Sequence, residues 1–164
     1  MELHISVDLG DTLFMQAASR LTVGKGQARQ LFGGAFGLLS GLVYEGAKVS
    51  VISKIDPGQH TGAAFSLFHC GLVPHIIAPE DVHFCFQRSE KGSIAEKIGS
   101  QVHIDDRIHC LNAVGAVGIE HLILFTGGHD ETGNPEMGEI VFPFIKAGTW
   151  DEVNHILAKI RKAQ

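Results

Sequence analysis

Four polar positions stand where short apolar runs of the chain stop. Asp8 follows residues 3–7, Ser53 follows residues 48–52, and the pair Asp105-Asp106 follows residues 101–104; Lys91 stands at the start of a helical pattern ahead of that pair. A carboxylate, a hydroxyl, an ammonium and a second carboxylate group together suit the handling of a phosphoryl group. Two separated carboxylates can hold a hard cation such as Mg²⁺, which takes oxygen ligands and keeps several waters. The cation and the Lys91 ammonium would offset the anion's charge and let Asp8 approach as a nucleophile. The Ser53 hydroxyl can hydrogen-bond a phosphoryl oxygen. A loose, highly charged transition state depends on such positioning and electrostatics.

Singly, each residue has a plainer account. An Asp at a strand end is commonly a turn-former, serines routinely end strands, and a helical lysine is usually solvated. One of two adjacent aspartates can cap the next helix. Side by side after an apolar strand, however, they repel unless a cation is near. Their joint order points to one site.

The elements that must position these residues are legible in the hydrophobic pattern. Strands are expected at residues 3–7, 48–52, 82–86, 101–104 and 121–125, with an edge strand at 139–144. Helices are expected at 32–44, 61–70, 89–98, 108–117 and 150–160, several of them closed by glycine. Residues 14–30 read as a flap or irregular turn, and a loop carrying Gly127, Gly128, Gly133, Asn134 and Pro135 follows the fifth strand. Alternating apolar strands and helices predict an α/β fold: a three-layer, doubly wound, mainly parallel sheet of five to six strands, Rossmann-like in plan. Ligands of such sheets bind at the carboxyl ends of the strands, near the switch point. The polar positions above stand at those ends.

At 164 residues the chain fits one domain, residues 1–164, and 45 % hydrophobic residues are enough for a core. A net charge of −5 argues against broad nucleic-acid binding, which needs a basic face. No apolar run is long enough to span a membrane, and the start MELHISVDLG lacks the pattern of a signal peptide. Cys70, Cys85 and Cys110 are isolated and lack metal-ligand spacing, so they read as free thiols in a reducing cytoplasm. The ten histidines are scattered and do not suggest a histidine metal site.

The residues also carry a family likeness. HISVDLGDTL resembles the first motif of haloacid-dehalogenase-like hydrolases, an apolar strand followed by Asp-x-Asp-x-Thr. KVSVISK resembles their second motif, a strand ending in Ser or Thr. EKGSIAEKIGSQVHIDDRIHCLNAVGAVGI resembles their third and fourth motifs joined, a lysine followed by an apolar strand and an acidic pair. The likeness spans roughly residues 3–125. It implies that Asp8 is the nucleophile, that Ser53 binds phosphoryl oxygens, and that Lys91 stabilises both. It implies Mg²⁺ as cofactor, with Asp8, the main-chain carbonyl of Gly10 and Asp106 as ligands and Asp105 as their supporting partner. Lys97, six residues along the same helix, is the rival for the lysine role.

One departure stands out. The family's phosphatases place a general acid/base Asp two residues after the nucleophile; here Gly10 stands there and Asp11 follows. On an extended strand Asp11 would point away, and a curl at Gly10 would be needed to bring it to the leaving group. Members that are not phosphatases, dehalogenases and phosphonate-cleaving enzymes among them, also lack that Asp. The intervals where the family inserts a cap, residues 14–30 and 57–81, are too short for a separate lid. The resemblance thus implies an uncapped site, open to bulky substrates or closed by a neighbouring subunit of a homo-oligomer. The substrate class is a small phosphate ester or a phosphorylated macromolecule. A non-catalytic module that keeps the metal and anion pocket, and hydrolysis of another bond such as carbon–halogen, stay open.

Other motifs carry less. Gly24-Lys25-Gly26 lacks P-loop spacing, Thr126-Gly127-Gly128 is a glycine turn or an anion nest, Cys110 is a small helix residue, and Trp150 anchors the last helix. A receiver domain shares the architecture but places its acidic pair first and its lysine late, the reverse of this order.

Overall fold

β-branched and other apolar residues crowd the short strands, and many glycines fall between the elements. The computed structural model describes residues 2–15, 29–128 and 138–163. The strands are β1 His4–Val7, β2 Lys48–Lys54, β3 Val82–Cys85, β4 Val102–Asp105, β5 His121–Phe125 and β6 Ile145–Ala147. The helices are α1 Ala35–Tyr44, α2 His60–His69, α3 Glu90–Ile98, α4 Ile108–Gly115 and α5 Trp150–Ala163. All six strands are parallel, in the order β3-β2-β1-β4-β5-β6. The chain leaves β1 outward in one direction and returns at β4 in the other, so the switch point lies between these two strands. The expected doubly wound α/β fold is the one observed.

Two apolar layers sandwich the sheet. On one face Ile5, Val7, Val51, Ile104 and Phe125 pack against α1, α2 and α5. On the other, Ile52, Leu122 and Leu124 pack against Ala95 of α3 and Ile108, Leu111 and Val114 of α4. This second face also buries Ser6 and His103, both fully inaccessible, because residues two apart on a strand share a face with Asp8 and Asp105.

Most predicted boundaries differ from the observed ones by one to three residues, as frayed ends do. Three differences have identifiable causes. Helix α1 begins at Ala35 and not at residue 32, because Gly34 adopts φ 86° and turns the chain into the helix. Strand β2 runs through Ser53 to Lys54 and does not stop before the serine, since its last residues still pair with β3. The predicted edge strand at 139–144 is displaced: β6 is Ile145–Ala147. Residues 139–142 instead lie on α4, where Asn112 Nδ2 donates to the Glu139 carbonyl at 2.7 Å. Asn112 Oδ1 accepts the amides of Val141 and Phe142. One side-chain amide thus supplies both the donor and the acceptor a neighbouring strand would have offered. Most of the predicted 14–30 turn, with Gly24-Lys25-Gly26, lies outside the described residues, as do Gly133, Asn134 and Pro135. Among the described residues no helix is long and apolar enough to cross a membrane.

Candidate active site

Asp8 is the first residue past β1, and its amide donates to the Ile104 carbonyl at 2.9 Å, which fastens it beside β4. Ser53 near the end of β2, Asp105 at the end of β4 and Asp106 after it reach the same rim. Lys91 comes down from the first turn of α3, its ammonium almost wholly buried. Its Nζ donates to Asp8 Oδ1 at 2.6 Å and to Asp105 Oδ2 at 2.5 Å. The Ser53 hydroxyl donates to the same Asp8 oxygen at 2.8 Å. The sequence assigned Ser53 to a phosphoryl oxygen; here it also holds the expected nucleophile. Lys97, the rival lysine, is exposed.

A close helix contact delivers Lys91. A Cβ built on Gly92 would stand 2.2 Å from the Ala113 carbonyl oxygen of α4, so only glycine lets α3 sink this far. Glu90 reaches back to accept the amides of Phe86 and Gln87 at 2.9 and 2.8 Å and fixes the entry to α3. Sequence reading passed over Gly92; its place beside a site lysine was the available signal.

After Asp8 the chain turns at once. The amides of Leu13 and Phe14 both donate to the Leu9 carbonyl, and Gly10 bridges to Phe14. The extended geometry that would have aimed Asp11 away is therefore absent. Asp11 adopts φ 55°, a left-handed conformation Asp tolerates. Gly128 packs directly on it: a Cβ there would come within 2.5 Å of the Asp11 carbonyl oxygen. Trp150 locks the same turn by donating to the Thr12 carbonyl at 3.0 Å.

Asp8, Asp105 and Asp106 each offer a carboxylate oxygen, all within 4.8 Å of one another, and all three residues are buried. Asp11 is not part of that cluster. Both Asp105 oxygens are engaged within the protein, Oδ1 by the Arg107 amide at 3.0 Å and Oδ2 by Lys91 and His103. A cation there would find both oxygens of Asp105 already taken. Burial pushes the Asp8 carboxyl up, against the pull of Lys91. Burial acts upward on Asp105 too, but the Lys91 charge and the His103 hydrogen bond outweigh it and hold the group well below the usual carboxylate range. Burial, then the charges of Asp105 and Asp8, drive Asp106 up to about 9. The Lys91 ammonium and the Arg107 guanidinium, 3.7 Å from Asp106, do not balance three crowded carboxyls. A divalent cation would supply the missing charge and return Asp106 to its ionised form, and an all-oxygen donor set selects a hard ion of the Mg²⁺ type. The residues fit the metal.

No family model matches the chain, and none of the curated proteins matches it significantly by sequence. Solved structures do match. An uncharacterised protein from Listeria monocytogenes serotype 4b superposes with TM-score 0.66 at 13 % identity, over 98 % of this chain and 99 % of that one. D,D-heptose bisphosphate phosphatase from B. bronchiseptica, complexed with magnesium and phosphate, gives 0.69 at 12 %, over 97 % and 99 %. A haloacid dehalogenase-like family hydrolase from Xanthomonas campestris gives 0.62 at 10 %, over 99 % of each. At such identities the likeness establishes the fold, which is haloacid-dehalogenase-like.

Proposed function

We propose that this chain, with its haloacid-dehalogenase-like fold, is a Mg²⁺-dependent phosphohydrolase that works through a phospho-aspartate on Asp8. The observation that carries the reading is the convergence of Asp8, held by Lys91 and Ser53, with Asp106 at the switch point of the sheet. The fold neighbour complexed with magnesium and phosphate supports it.

In this reading an Asp8 carboxylate oxygen attacks the phosphorus of a monoester, and the bond to the leaving oxygen breaks. The alcohol leaves with a proton, and Asp11 is the candidate donor. Water then attacks the phosphorus, its proton passes to the same group, and phosphate departs with Asp8 restored. Asp8, Asp106 and the Gly10 carbonyl would hold Mg²⁺, which would supply charge neutralisation at the phosphoryl group. Lys91 pulls Asp8 towards its ionised form and holds it in place, and Ser53 orients it. The unit acts without a separate cap, on a small phosphate ester or a phosphorylated macromolecule, in the cytoplasm.

The test is turnover of p-nitrophenyl phosphate with Mg²⁺, with EDTA, and with Asp8→Asn. Turnover that needs the metal and disappears in the variant is the expected result; metal-independent halide release from a haloalkane would transfer the site to carbon–halogen chemistry. Gly10, standing where an acid/base Asp is usual, favours one second reading, a module that binds metal and anion without turnover. Phosphate binding with no ester hydrolysed would establish that reading. With Asp11 as the acid/base, Asp11→Asn lowers kcat by roughly 10²–10⁴-fold, and an unchanged kcat would remove it from that role.

A further inference from the structure

Behind the Lys91–Asp105 pair runs a buried polar chain that the reaction above does not use. His103 precedes Asp105 by two residues on β4 and shares its face of the sheet, with no exposed surface. Its Nε2 lies 3.2 Å from Asp105 Oδ2, and its Nδ1 lies 2.8 Å from Ser6 Oγ on β1. Ser6 Oγ is in turn 2.8 Å from Ser100 Oγ.

An ionised Asp105 can only accept, so Nε2–H donates to it, while Nδ1 shares a hydrogen bond with the Ser6 hydroxyl. The Ser100 hydroxyl donates to the Val102 carbonyl at 2.8 Å, which anchors the far end of the chain on β4. Packing alone does not call for this arrangement. Ile52, Leu122 and Leu124 fill the same face with apolar side chains, and a buried polar group costs free energy unless it is fully bonded. What the chain does achieve is directional. The Arg107 amide takes one Asp105 oxygen, while His103 and Lys91 share the other. The carboxylate plane is thereby fixed, and with it the point at which Lys91 meets Asp8.

We propose that His103 is a positioning residue: backed by Ser6 and Ser100, it fixes the Asp105 carboxylate and so holds the Lys91 ammonium against Asp8. The kinetic part of this claim rests on the phosphohydrolase reading; the geometric part does not.

The experiment compares the wild type with His103→Leu, His103→Gln and Ser6→Ala, at a temperature where circular dichroism shows each folded. Gln keeps a donor near the Nε2 position, whereas Leu fills the volume without one. With p-nitrophenyl phosphate and Mg²⁺, His103→Leu is expected to lower kcat roughly tenfold or more with KM changed less than about twofold, and His103→Gln to recover most of it. In parallel, a ¹⁵N-detected signal from the Lys91 ammonium, assigned by its loss in Lys91→Met, is expected in the wild type and His103→Gln. It should vanish in His103→Leu through exchange with water.

Wild-type kcat in His103→Leu, equal losses in the Leu and Gln variants, or a Lys91 signal indifferent to all substitutions would overturn the proposal. An absent signal in the wild type would do so too. Should the wild type hydrolyse no ester, the phosphohydrolase reading fails, and the Lys91 signal alone still decides the positioning claim. Should His103→Leu not fold, Ser6→Ala carries the test: a weakened Lys91 signal supports the chain, and an unaltered one removes it.

Discussion

Lys91 is the residue on which the candidate site turns. Its long stem crosses the layer between α3 and the sheet, and its charge is spent on two aspartates. Burial acts to lower its affinity for a proton, but the Asp105 and Asp8 charges keep it well above the usual lysine value. Removing one partner of a buried ion pair strands the other, typically at about 3–5 kcal/mol. Lys91→Met, unfolded in urea with EDTA present, is expected to lose stability of that order, and a midpoint equal to wild type would contradict the pairing. The sequence showed a lysine before an acidic doublet but could not show which oxygen it grips. That depends on the Asp105 oxygens meeting Lys91, His103 and the Arg107 amide, contacts that only packing creates.

At the scale of elements, glycine sets how closely the helices can approach. Gly92→Ala would force a methyl group into the Ala113 carbonyl, and overpacking of this kind costs about 1–3 kcal/mol. Thermal unfolding should register that loss, with turnover falling alongside because Lys91 is the adjacent residue; an unshifted melting temperature would refute the close contact. Strand β1 carries a second consequence at its other end. His4 bonds Ser50 at 2.8 Å, and burial first, then Lys48, lowers its proton affinity, against Asp81 and Glu2 pulling upward. A histidine whose folded pKa is depressed contributes stability above its ordinary value of 6.5, and loses it as pH falls through the folded value. The stability difference between wild type and His4→Gln should therefore shrink between about pH 7 and pH 5. A constant difference across that range would exclude the mechanism.

For the molecule as a whole, the parallel sheet gathers residues up to 98 positions apart at one rim, Asp8 and Asp106 among them. A cation bound there by the folded state alone must stabilise it through mass action, by about 2.7 kcal/mol at roughly a hundredfold excess over Kd. That corresponds to a rise of about 5–10 °C in Tm for a chain of this size. Differential scanning calorimetry with Mg²⁺ should show the rise, EDTA should reverse it, and Asp106→Asn should reduce it. A Tm indifferent to Mg²⁺ would mean that the carboxylates do not form a metal site.

The alternation of apolar strands and helices determined the fold class, because burial on both faces of a parallel sheet demands it. The order of Asp8, Ser53, Lys91 and the acidic pair could also be read in the sequence, since strand ends fall where apolar runs stop. Tertiary structure alone decided the course of 139–144, where the Asn112 amide stands in for a strand. It alone set the turn at Gly10 and Asp11, and it alone made Ser6, Ser100 and His103 a connected chain. Those three look like ordinary strand and loop residues in one dimension. Their roles arise from contacts across the sheet, and local propensity carries no record of such distant partners.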